Sequence, residues 1–487
     1  MKGEVLINLT PVETRVALVE HGVLQEAAIE RHHRQGIVGN IYKGKVVRVL
    51  PGMQAAFVDI GLERAAFIHV KDVVDPARLA GPLPPIQALL HEGQRLVVQV
   101  VKDPISAKGA RLTTHLSLPS RYLVYMPGAS HLGVSQRIKE DDTRERLRRT
   151  VEALRAPFAD SLTGGFIVRT AAEAADDKAL ALDMQFLAEL WRKLCERRVE
   201  RQAPSLLYYD QPLFLRVLRD LMRDDVERVR IDSRENFEKL KQFAEDYVPA
   251  LSERIEHYDG ERPIFELYSV EDELQKALER KVPLKSGGYL ILDQTEAMTT
   301  IDVNTGGYVG YRNLEDTIFR TNLEAAQAIV RQLRLRNLGG IIIIDFIDMA
   351  SSEHQRQVIR ALEKALEHDL ARTQLSGVTE LGLVQVTRKR TRRSLAQTLC
   401  EPCKACHGRG TQKTAETLCY EILREIVRIN RLSKATRYLV LASTAVVERF
   451  QSDSAPAVAE LEAFIALPVR FQAESHYYQE QYDIVLG

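Results

Sequence analysis

A run of four isoleucines, Ile341–Ile344, leads directly into Asp345 and constrains the fold more than any other segment. Continuous aliphatic runs of this length are typical of strands buried on both faces of a parallel sheet. The surrounding residues 281–397 alternate strand-like and helix-like patterns, which predicts an α/β unit with crossover helices. We place its elements at Gly288–Asp293, Met298–Val303, Leu314–Arg336, Ile341–Asp345, His354–Leu370 and Leu383–Thr387.

Two of these predicted strands carry carboxylates at their ends, Asp302 and Asp345. A βαβ crossover brings such ends to one edge of the sheet, so we expect the two side chains to lie close together. Adjacent carboxylates repel unless a cation or a proton lies between them, and Mg²⁺ prefers oxygen ligands and serves phosphate chemistry. With Asn304 as a nearby neutral donor, the residues favour a Mg²⁺-dependent phosphoryl-transfer enzyme. The alternative is that each Asp caps a loop or helix.

The composition is that of a globular protein, with 487 residues, 45% of them hydrophobic and 28% charged. This excludes collagen-like and wholly disordered chains, and the length suggests about three domains. The 67 Lys and Arg residues balance the 67 Asp and Glu residues, so the formal net charge is zero. This total combines an acidic segment with a basic one. Residues 220–279 hold 18 acidic and 9 basic residues, whereas residues 388–413 hold 8 basic and 1 acidic. The basic segment is either a phosphate-backbone footprint or a solvated loop.

The N-terminus has no secretory signal, because Glu4 and Glu13 interrupt it and no apolar core or cleavage site follows. No stretch approaches the roughly 18 apolar residues of a membrane span. The five cysteines are too few and too clustered for a disulfide framework. We therefore expect a cytoplasmic protein without a membrane span.

Residues 36–115 consist of short alternating segments separated by glycine and proline, which predicts a small β-barrel of the OB type. Phe57 and Phe67 lie in neighbouring predicted strands. In such barrels, aromatic side chains stack on the bases of single-stranded nucleic acid beside a basic groove. The candidates for that groove are Lys43, Lys45, Arg64 and Lys108. The alternative is that both phenylalanines belong to the barrel core.

A predicted strand, Phe166–Val168, precedes a helical pattern from about residue 171 to residue 201. Thr170 suits the N-cap of that helix, with Glu173 completing a capping box. A helix N-terminus with Arg169 beside it is also an anion site. Capping is the commoner role of such residues, and both interpretations stay open.

A cluster of cysteines begins at Cys400 and continues with Cys403, Cys406 and His407. The C-x-x-C-H pattern within it also marks covalent haem attachment, but that chemistry needs export. A zinc site built from one chain would leave little backbone to wrap a tetrahedron. In the third interpretation, Cys403 and Cys406 form half of a Cys₄ zinc site that the same pair of a second chain completes. That interpretation predicts a dimer with a shared metal.

The order of these segments resembles the ribonuclease E/G family of bacterial endoribonucleases. The motifs that carry the resemblance are VRTAAE at 168–173, TTIDVNTGGYVG at 299–310, IIIIDFIDM at 341–349, TRKR at 387–390 and CEPCKACHGRG at 400–410. They follow a barrel of the ribosomal-S1 type, and the match extends from about residue 3 to residue 430. The segment Leu118–Val124 is similar to the corresponding segment in the shorter members of the family. Since the chain ends at residue 487 without a long Pro/Arg-rich tail, no degradosome scaffold is expected.

The resemblance implies roles for individual residues. Asp302 and Asp345 would hold the catalytic Mg²⁺, with Asn304 orienting the scissile phosphate and the role of Asp348 left open. The other implied contacts are Arg169, Thr170 and the backbone near Val124 for a 5′-monophosphate, Phe57, Phe67 and Lys108 for RNA on the barrel, and Cys403 and Cys406 for a shared Zn²⁺. Ser120 stands where longer members have a glycine beside the phosphate pocket. Cys400 is outside the family's two-cysteine link.

The resemblance also implies a multidomain α/β and α+β architecture. Its parts are an inactive RNase H-like subdomain (1–35 with 211–277), an S1-type OB barrel (36–115), a 5′-phosphate sensor (116–210), a DNase I-like catalytic subdomain (278–397), a zinc link (398–413) and a small C-terminal α+β domain (414–487).

The implied activity is Mg²⁺-dependent cleavage of single-stranded RNA, with a preference for 5′-monophosphorylated substrates and with 5′-phosphate and 3′-hydroxyl products. Ribosomal RNA 5′-end maturation and messenger RNA turnover are the implied reactions, carried out by a homodimer or tetramer. Two other classes stay open on the residues alone. One is a non-catalytic RNA-binding assembly factor, and the other is a Mg²⁺-dependent phosphohydrolase of small nucleotides.

Overall fold

The computed structural model of the chain describes residues 3–32, 36–73, 83–104, 109–221, 226–306, 314–379, 381–389, 392–433 and 435–487. The chain divides into two compact units, Met1–Thr398 and Leu399–Gly487. Within the described ranges, no helix is both long enough and apolar enough to cross a membrane.

The first unit contains strands β1 to β21 and helices α1 to α11. Its strands are Gly3–Leu9, Glu13–Glu20, Val23–Arg31, Ile41–Leu50, Ala55–Asp59, Ala66–His69, Arg95–Lys102, Arg111–Thr113, Leu118–Pro119, Leu123–Met126, Leu132–Val134, Gly165–Val168, Ser205–Tyr208, Val226–Ile231, Ile255–His257, Lys281–Pro283, Tyr289–Gln294, Met298–Asn304, Gly340–Asp345, Thr373–Val378 and Leu383–Arg388. Its helices are Ile86–Leu89, Asp141–Arg155, Asp177–Glu200, Leu213–Asp220, Arg234–Tyr247, Pro249–Ser252, Ile264–Leu267, Val270–Lys276, Leu314–Leu335, Ser352–Leu366 and Leu395–Leu399, the last crossing into the second unit.

The N-terminal strands complete their sheet with residues from more than 200 positions later. The strand order is β15-β14-β1-β2-β3, and β1 runs parallel to β14. Val5 and Ile7 point from β1 into a core that also contains Phe214 of α4 and Leu240 of α5. The first three strands are therefore one side of a sheet that needs residues 226–257 to close its core.

A closed barrel follows in the chain, with strand order β4-β5-β6-β8-β7 and a further pairing of β7 with β4. Gly44 of β4 is required at this closure, because a Cβ there would lie 2.6 Å from Cγ1 of Val58. Strand β13 adds to the outside of β4. The small β-barrel predicted from the alternating pattern is confirmed, and it has five strands.

A four-stranded sheet of order β11-β12-β10-β9 packs against α2 and α3. The predicted start of the long helix near residue 171 is wrong, since α3 begins at Asp177 with the Asp176 side chain as its cap. Thr170–Ala172 form only a short 3₁₀ turn. That turn has no side-chain cap, so the capping box does not form, and no long helix offers its N-terminus to an anion here.

The sheet that carries Asp302 and Asp345 has the order β16-β17-β18-β19-β21-β20. The β18–β19 pairing is parallel and the other four pairings are antiparallel. Helices α9 and α10 both pack on one face, where Ile342 and Ile344 join a single core with residues such as Ile329 and Leu362.

The expectation that Ile341–Ile344 is buried on both faces is wrong. Ile342 and Ile344 are fully buried beneath the helices, whereas Ile341 on the opposite face is 47% exposed. The aliphatic run resembles a doubly covered strand only because hydrophobic side chains occupy the open face as well. The sheet therefore has one open face.

The second unit is a three-stranded sheet covered by helices. Its strands β22 to β24 are Tyr438–Ala442, Val469–Ala473 and Tyr482–Leu486, and its helices α12 to α14 are Ala415–Leu432, Thr444–Gln451 and Ala455–Ile465. Strand β22 lies in the centre, parallel to β23 and antiparallel to β24. Tyr438, Ile422 and Phe450 are buried in its core together with the thiol of Cys419.

Candidate active site

Two carboxylates lie side by side on the open face of the mixed sheet. Asp302 of β18 and Asp345 of β19 are register partners across the parallel pairing, so their Cα atoms lie directly opposite each other. Both side chains are exposed, because alternation along β18 buries Ile301 and Val303 beneath the helices and directs Asp302 outwards. The crossover through α9 therefore places both groups where a ligand can reach them from solvent.

Asn304, the last residue of β18, completes this cluster. Its Nδ2 donates a hydrogen bond to Oδ2 of Asp302, with an N···O distance of 2.7 Å. The bond fixes the amide beside the carboxylate. Among the described residues the second N–H of the same amide has no protein acceptor, so it can donate to an oxygen ligand.

The electrostatics of the cluster are those of crowded negative charge. Partial desolvation raises the pKa of Asp345, and the charges of Asp302 and Asp348 raise it further. Asp348 is exposed and lies three residues beyond the end of β19. A cation among these carboxylates would relieve the repulsion, which is the usual physical reason for such a cluster in a metal site.

A buried side chain that the sequence did not reveal holds the segment after β19 in place. Asn322 of α9 is fully buried. Its Nδ2 donates to the carbonyl of Ile347 at 2.8 Å, and its Oδ1 accepts from the Ile347 N–H at 3.1 Å. This two-way bond anchors the chain between Asp345 and Asp348. The only signal in the sequence is a polar residue on the buried face of an amphipathic helix.

The residues present fit a magnesium ion but not a cage made of protein ligands alone. Among the residues that the structure describes, no group of three or more His, Cys, Asp or Glu side chains lies close enough together to hold a metal. Mg²⁺ commonly binds through one or two carboxylates and keeps several waters for substrate oxygens to replace. Asp302 and Asp345 match that donor set.

The predicted phosphate-binding residues lie around the end of β12. Arg169 follows β12, and its Nη1 donates to the carbonyl of Ser120 at 2.5 Å. Thr170 Oγ1 lies 2.9 Å from Oγ of Ser135. Val124 lies on the adjacent strand β10, opposite Ile167. Burial lowers the pKa of the Arg169 guanidinium, which still carries its charge at neutral pH because arginine does not deprotonate in proteins.

Ser120 contributes to this pocket through its main chain. Its hydroxyl is buried and donates to the carboxylate of Asp183, which also accepts the N–H groups of Tyr122 and Leu123. Burial raises the pKa of Asp183, and these hydrogen bonds oppose that shift. The carboxylate on α3 thus fixes the turn whose carbonyl receives Arg169.

The two barrel phenylalanines lie on the outside of the barrel. Phe57 and Phe67 are register partners, with ring centroids 6.2 Å apart in an edge-to-face arrangement. Each is half-buried, while its strand neighbours point into the core. The alternative that both rings form the barrel core is wrong. Cross-strand pairing extends their row to Arg48 on one side and to Arg111 on the other.

Several basic residues proposed for nucleic-acid contact have structural partners instead. Nζ of Lys43 donates to the carbonyls of Arg198 and Arg201 at the end of α3. Arg388, counted in the basic segment, is buried in an ion pair with Asp369. Residue 108, predicted to contact RNA, lies outside the described residues.

The cysteine cluster forms an exposed turn in the second unit. Cys403 is exposed and Cys406 is partly exposed. Hydrogen bonding lowers the pKa of the Cys406 thiol, chiefly from the backbone N–H of Gly410 and also from the side chain of Cys403. The Gly408 N–H bonds to the Cys403 carbonyl. The turn thus presents two neighbouring sulfur atoms outwards.

Comparisons with known proteins agree with this arrangement. A model of the "Ribonuclease E/G family" matches residues 117–391. The chain is 55% identical to "Ribonuclease G" of Salmonella typhimurium (strain SL1344) over 493 aligned positions, covering 100% of both proteins. It is 52% identical to "Ribonuclease G" of Haemophilus influenzae over 491 positions and 99% of both. It is 40% identical to "Ribonuclease E" of Escherichia coli (strain K12) over 432 positions, which cover 86% of this chain and 40% of that protein.

Proposed function

The chain belongs to the ribonuclease E/G family and is an endoribonuclease, and we propose that it cuts single-stranded RNA with Mg²⁺ held by Asp302 and Asp345. The observation that carries the proposal is the register pairing of these carboxylates on the open sheet face. The full-length similarity to proteins named Ribonuclease G supports the shorter branch of the family, as the segment 118–124 predicted.

The carboxylates and Asn304 have separate roles in the proposed reaction. When bound here, Mg²⁺ supplies Lewis acidity towards water and towards the scissile phosphate. Asp302 and Asp345 would hold the ion through their carboxylate oxygens. Asn304 donates its free N–H to a phosphate oxygen and so orients the phosphorus for in-line attack. Attack by water leaves a 5′-phosphate and a 3′-hydroxyl.

Substitution of the two carboxylates tests the assignment. Asp302→Asn and Asp345→Asn should each abolish cleavage of a fluorescent single-stranded oligonucleotide while retaining RNA binding by fluorescence anisotropy. Asp293→Asn is the matched control, because Asp293 lies in the same sheet but pairs with Arg280. EDTA should stop the wild-type reaction. Wild-type rates in either catalytic variant, or 2′,3′-cyclic phosphate ends among the products, would refute the metal–water mechanism.

The outward phenylalanines support RNA binding on the barrel. Base stacking on an aromatic ring contributes about 1–3 kcal/mol per base, and Phe57 and Phe67 offer two rings in one row. Arg48 flanks the row on one side and supplies positive charge near a phosphate backbone, whereas Arg111 on the other side is paired with Asp72. Since stacking needs unpaired bases, this surface favours single strands.

We further propose that Arg169 and Thr170 bind a 5′-terminal monophosphate. Support comes from a charged guanidinium held by the Ser120 carbonyl beside a hydroxyl at the end of β12. Arg169→Ala should reduce the preference for 5′-monophosphorylated over 5′-hydroxyl RNA. Equal rates of the wild-type protein on the two substrates would remove the basis of this sensor.

The cysteine turn supports a zinc ion shared between two chains. Cys403 and Cys406 present two sulfur donors, and tetrahedral zinc needs four. Metal analysis should give about 0.5 Zn²⁺ per chain for a shared site and about 1 for a site within one chain. We expect Cys403→Ser to lose both the zinc and the dimer. Cys400→Ser should retain both.

Ribosomal RNA 5′-end maturation and messenger RNA turnover are the cellular reactions that we propose for this enzyme. The support is the family resemblance. Mapping the 5′ ends of small-subunit ribosomal RNA in cells that lack the protein would test the first, and unaltered ends would exclude it.

A further inference from the structure

One carboxylate near the proposed phosphate sensor lies close to three arginine side chains. Asp220 ends α4, and Nε of Arg219 lies 2.9 Å from its Oδ1. Nη2 of Arg169 lies 3.8 Å from Oδ1, and Nη2 of Arg392 lies 3.6 Å from Oδ2. Arg392 comes from the segment after β21, so the cluster joins the sensor sheet to the chain that leaves the catalytic sheet.

The charges in this cluster do not balance. Of the nearby cations, Arg219 also pairs with Asp210 at 3.0 Å, and Arg216 pairs with Glu30. Asp183 and Arg121 also act on Arg169, and their opposite charges offset each other. Among the described residues, Asp220 is then the carboxylate shared by Arg169 and Arg392, and the two guanidinium groups exceed it by one positive charge. Burial opposes ionisation of Asp220, yet the surrounding guanidinium groups, Arg219 foremost, lower its pKa to about 2.

The geometry leaves donors on both arginines for a ligand. Their distances to Asp220 exceed those of hydrogen bonds, in contrast to the 2.9 Å contact of Arg219. Their side chains are 29% and 47% exposed for Arg169 and Arg392 respectively. Each guanidinium has five N–H donors, and Arg169 commits one of them to the Ser120 carbonyl.

We propose that Arg392 is a second arginine of the 5′-phosphate site, held there by Asp220, and that its ligand is the terminal phosphate monoester of single-stranded RNA. The inference rests on the proposed 5′-monophosphate preference and names a residue beyond Arg169 and Thr170. A phosphate monoester carries a charge of about −1.5 to −2 at pH 7, whereas an internal phosphodiester carries one negative charge. Two arginines that share one carboxylate match the monoester.

The two arginines also come from different parts of the unit. Arg169 follows β12 of the sensor sheet, whereas Arg392 follows β21, which pairs with the strand that carries Asp345. A phosphate that contacts both guanidinium groups therefore links RNA binding at the sensor to the catalytic sheet. The link gives a physical reason for a 5′-end preference in a reaction at a distant phosphate.

The test compares 5′-monophosphorylated and 5′-hydroxyl forms of one fluorescent oligonucleotide. For Arg392→Ala, the ratio of kcat/KM values should fall about tenfold, as expected for loss of a charge-assisted hydrogen bond, and mainly through KM. Arg392→Lys should recover part of the ratio. Arg393→Ala is the matched control, because Arg393 donates to the carbonyl of Pro104; its ratio should equal the wild-type ratio.

The outcomes separate this inference from the proposal beneath it. A wild-type ratio near one would remove the 5′-sensor and Arg392's role with it. A high wild-type ratio that Arg169→Ala lowers and Arg392→Ala does not would overturn the role of Arg392 alone. An equal fall on both substrates in Arg392→Ala would also overturn it, since a purely structural ion pair acts in that way.

Discussion

Replacement of Arg388 by methionine should destabilise the first unit without weakening the electrostatic attraction for RNA. Arg388 and Asp369 are 6% and 1% exposed, and Nε and Nη2 of the arginine reach the two carboxylate oxygens at 2.6 and 3.0 Å. A third nitrogen, Nη1, donates to the carbonyl of Leu338 at 2.8 Å. The pair ties the end of β21 to the turn after α10.

The expected loss of stability follows from the buried Asp369 carboxylate that the substitution leaves without its ion-pair partner. With Arg388 gone, the buried carboxylate keeps, among the described residues, one bond from the Ala371 N–H. Breaking one side of a buried ion pair costs about 3–5 kcal/mol. A body of about 400 residues unfolds with an entropy of about 0.8 kcal/mol/K, so a loss of about 4 kcal/mol lowers Tm by about 5 °C. If a smaller part melts first, the decrease is larger.

Two companion variants make the measurement decisive. In the double variant Arg388→Met with Asp369→Leu, no charge is left buried, so most of the lost stability should return. Lys389→Met is the neighbouring control, because Lys389 is exposed. Differential scanning calorimetry gives the Tm values, and RNA titrations at several salt concentrations give the electrostatic slope. An unchanged Tm together with a shallower salt slope for Arg388→Met would show that this arginine contacts RNA and would refute the reasoning.

Three further predictions concern the site itself. Asp348→Asn removes one charge that raises the pKa of Asp345. Because protonation of Asp345 competes with Mg²⁺, the pH at which apparent Mg²⁺ affinity is lost on acidification should fall. An unchanged pH profile of Mg²⁺ affinity would exclude this coupling. Asn322→Leu should lower kcat about tenfold at saturating RNA, because it removes two main-chain hydrogen bonds of about 1 kcal/mol each that hold the segment between Asp345 and Asp348. An unchanged kcat would show that these hydrogen bonds are dispensable. Phe67→Ala should raise KM by roughly 5- to 100-fold with little change in Tm, whereas a large fall in Tm would place the ring in the core.

The sequence pattern predicts the proximity of the two carboxylates well, because it depends on a general rule. A strand, a crossover helix and a second strand bring Asp302 and Asp345 to neighbouring positions whatever the details of packing. The barrel is predictable for a similar reason, since short alternating segments have few other ways to bury one face. Both inferences use periodicity and chain order alone.

The features that the sequence does not predict depend on distant partners. Nothing local distinguishes Arg388, whose carboxylate lies 19 positions earlier, from the exposed Lys389 beside it. Asn322 is likewise indistinguishable from any polar residue of an amphipathic helix until Ile347 is placed against it. Thr170 and Glu173 have the spacing of a capping box, but the competing Asp176 side chain caps α3 instead. In each case tertiary structure selects among locally equivalent options.

The one-sided covering of the mixed sheet has a further consequence for the kind of polymer cleavage that it permits. Because α9 and α10 both occupy one face, Asp302 and Asp345 lie exposed on the opposite face of the described sheet. A long chain can therefore approach sideways, with any internal bond over the carboxylates, and need not be threaded from a terminus. Within the described residues both carboxylates are exposed to solvent, and this exposure suits cutting at interior positions better than stepwise trimming from a chain end.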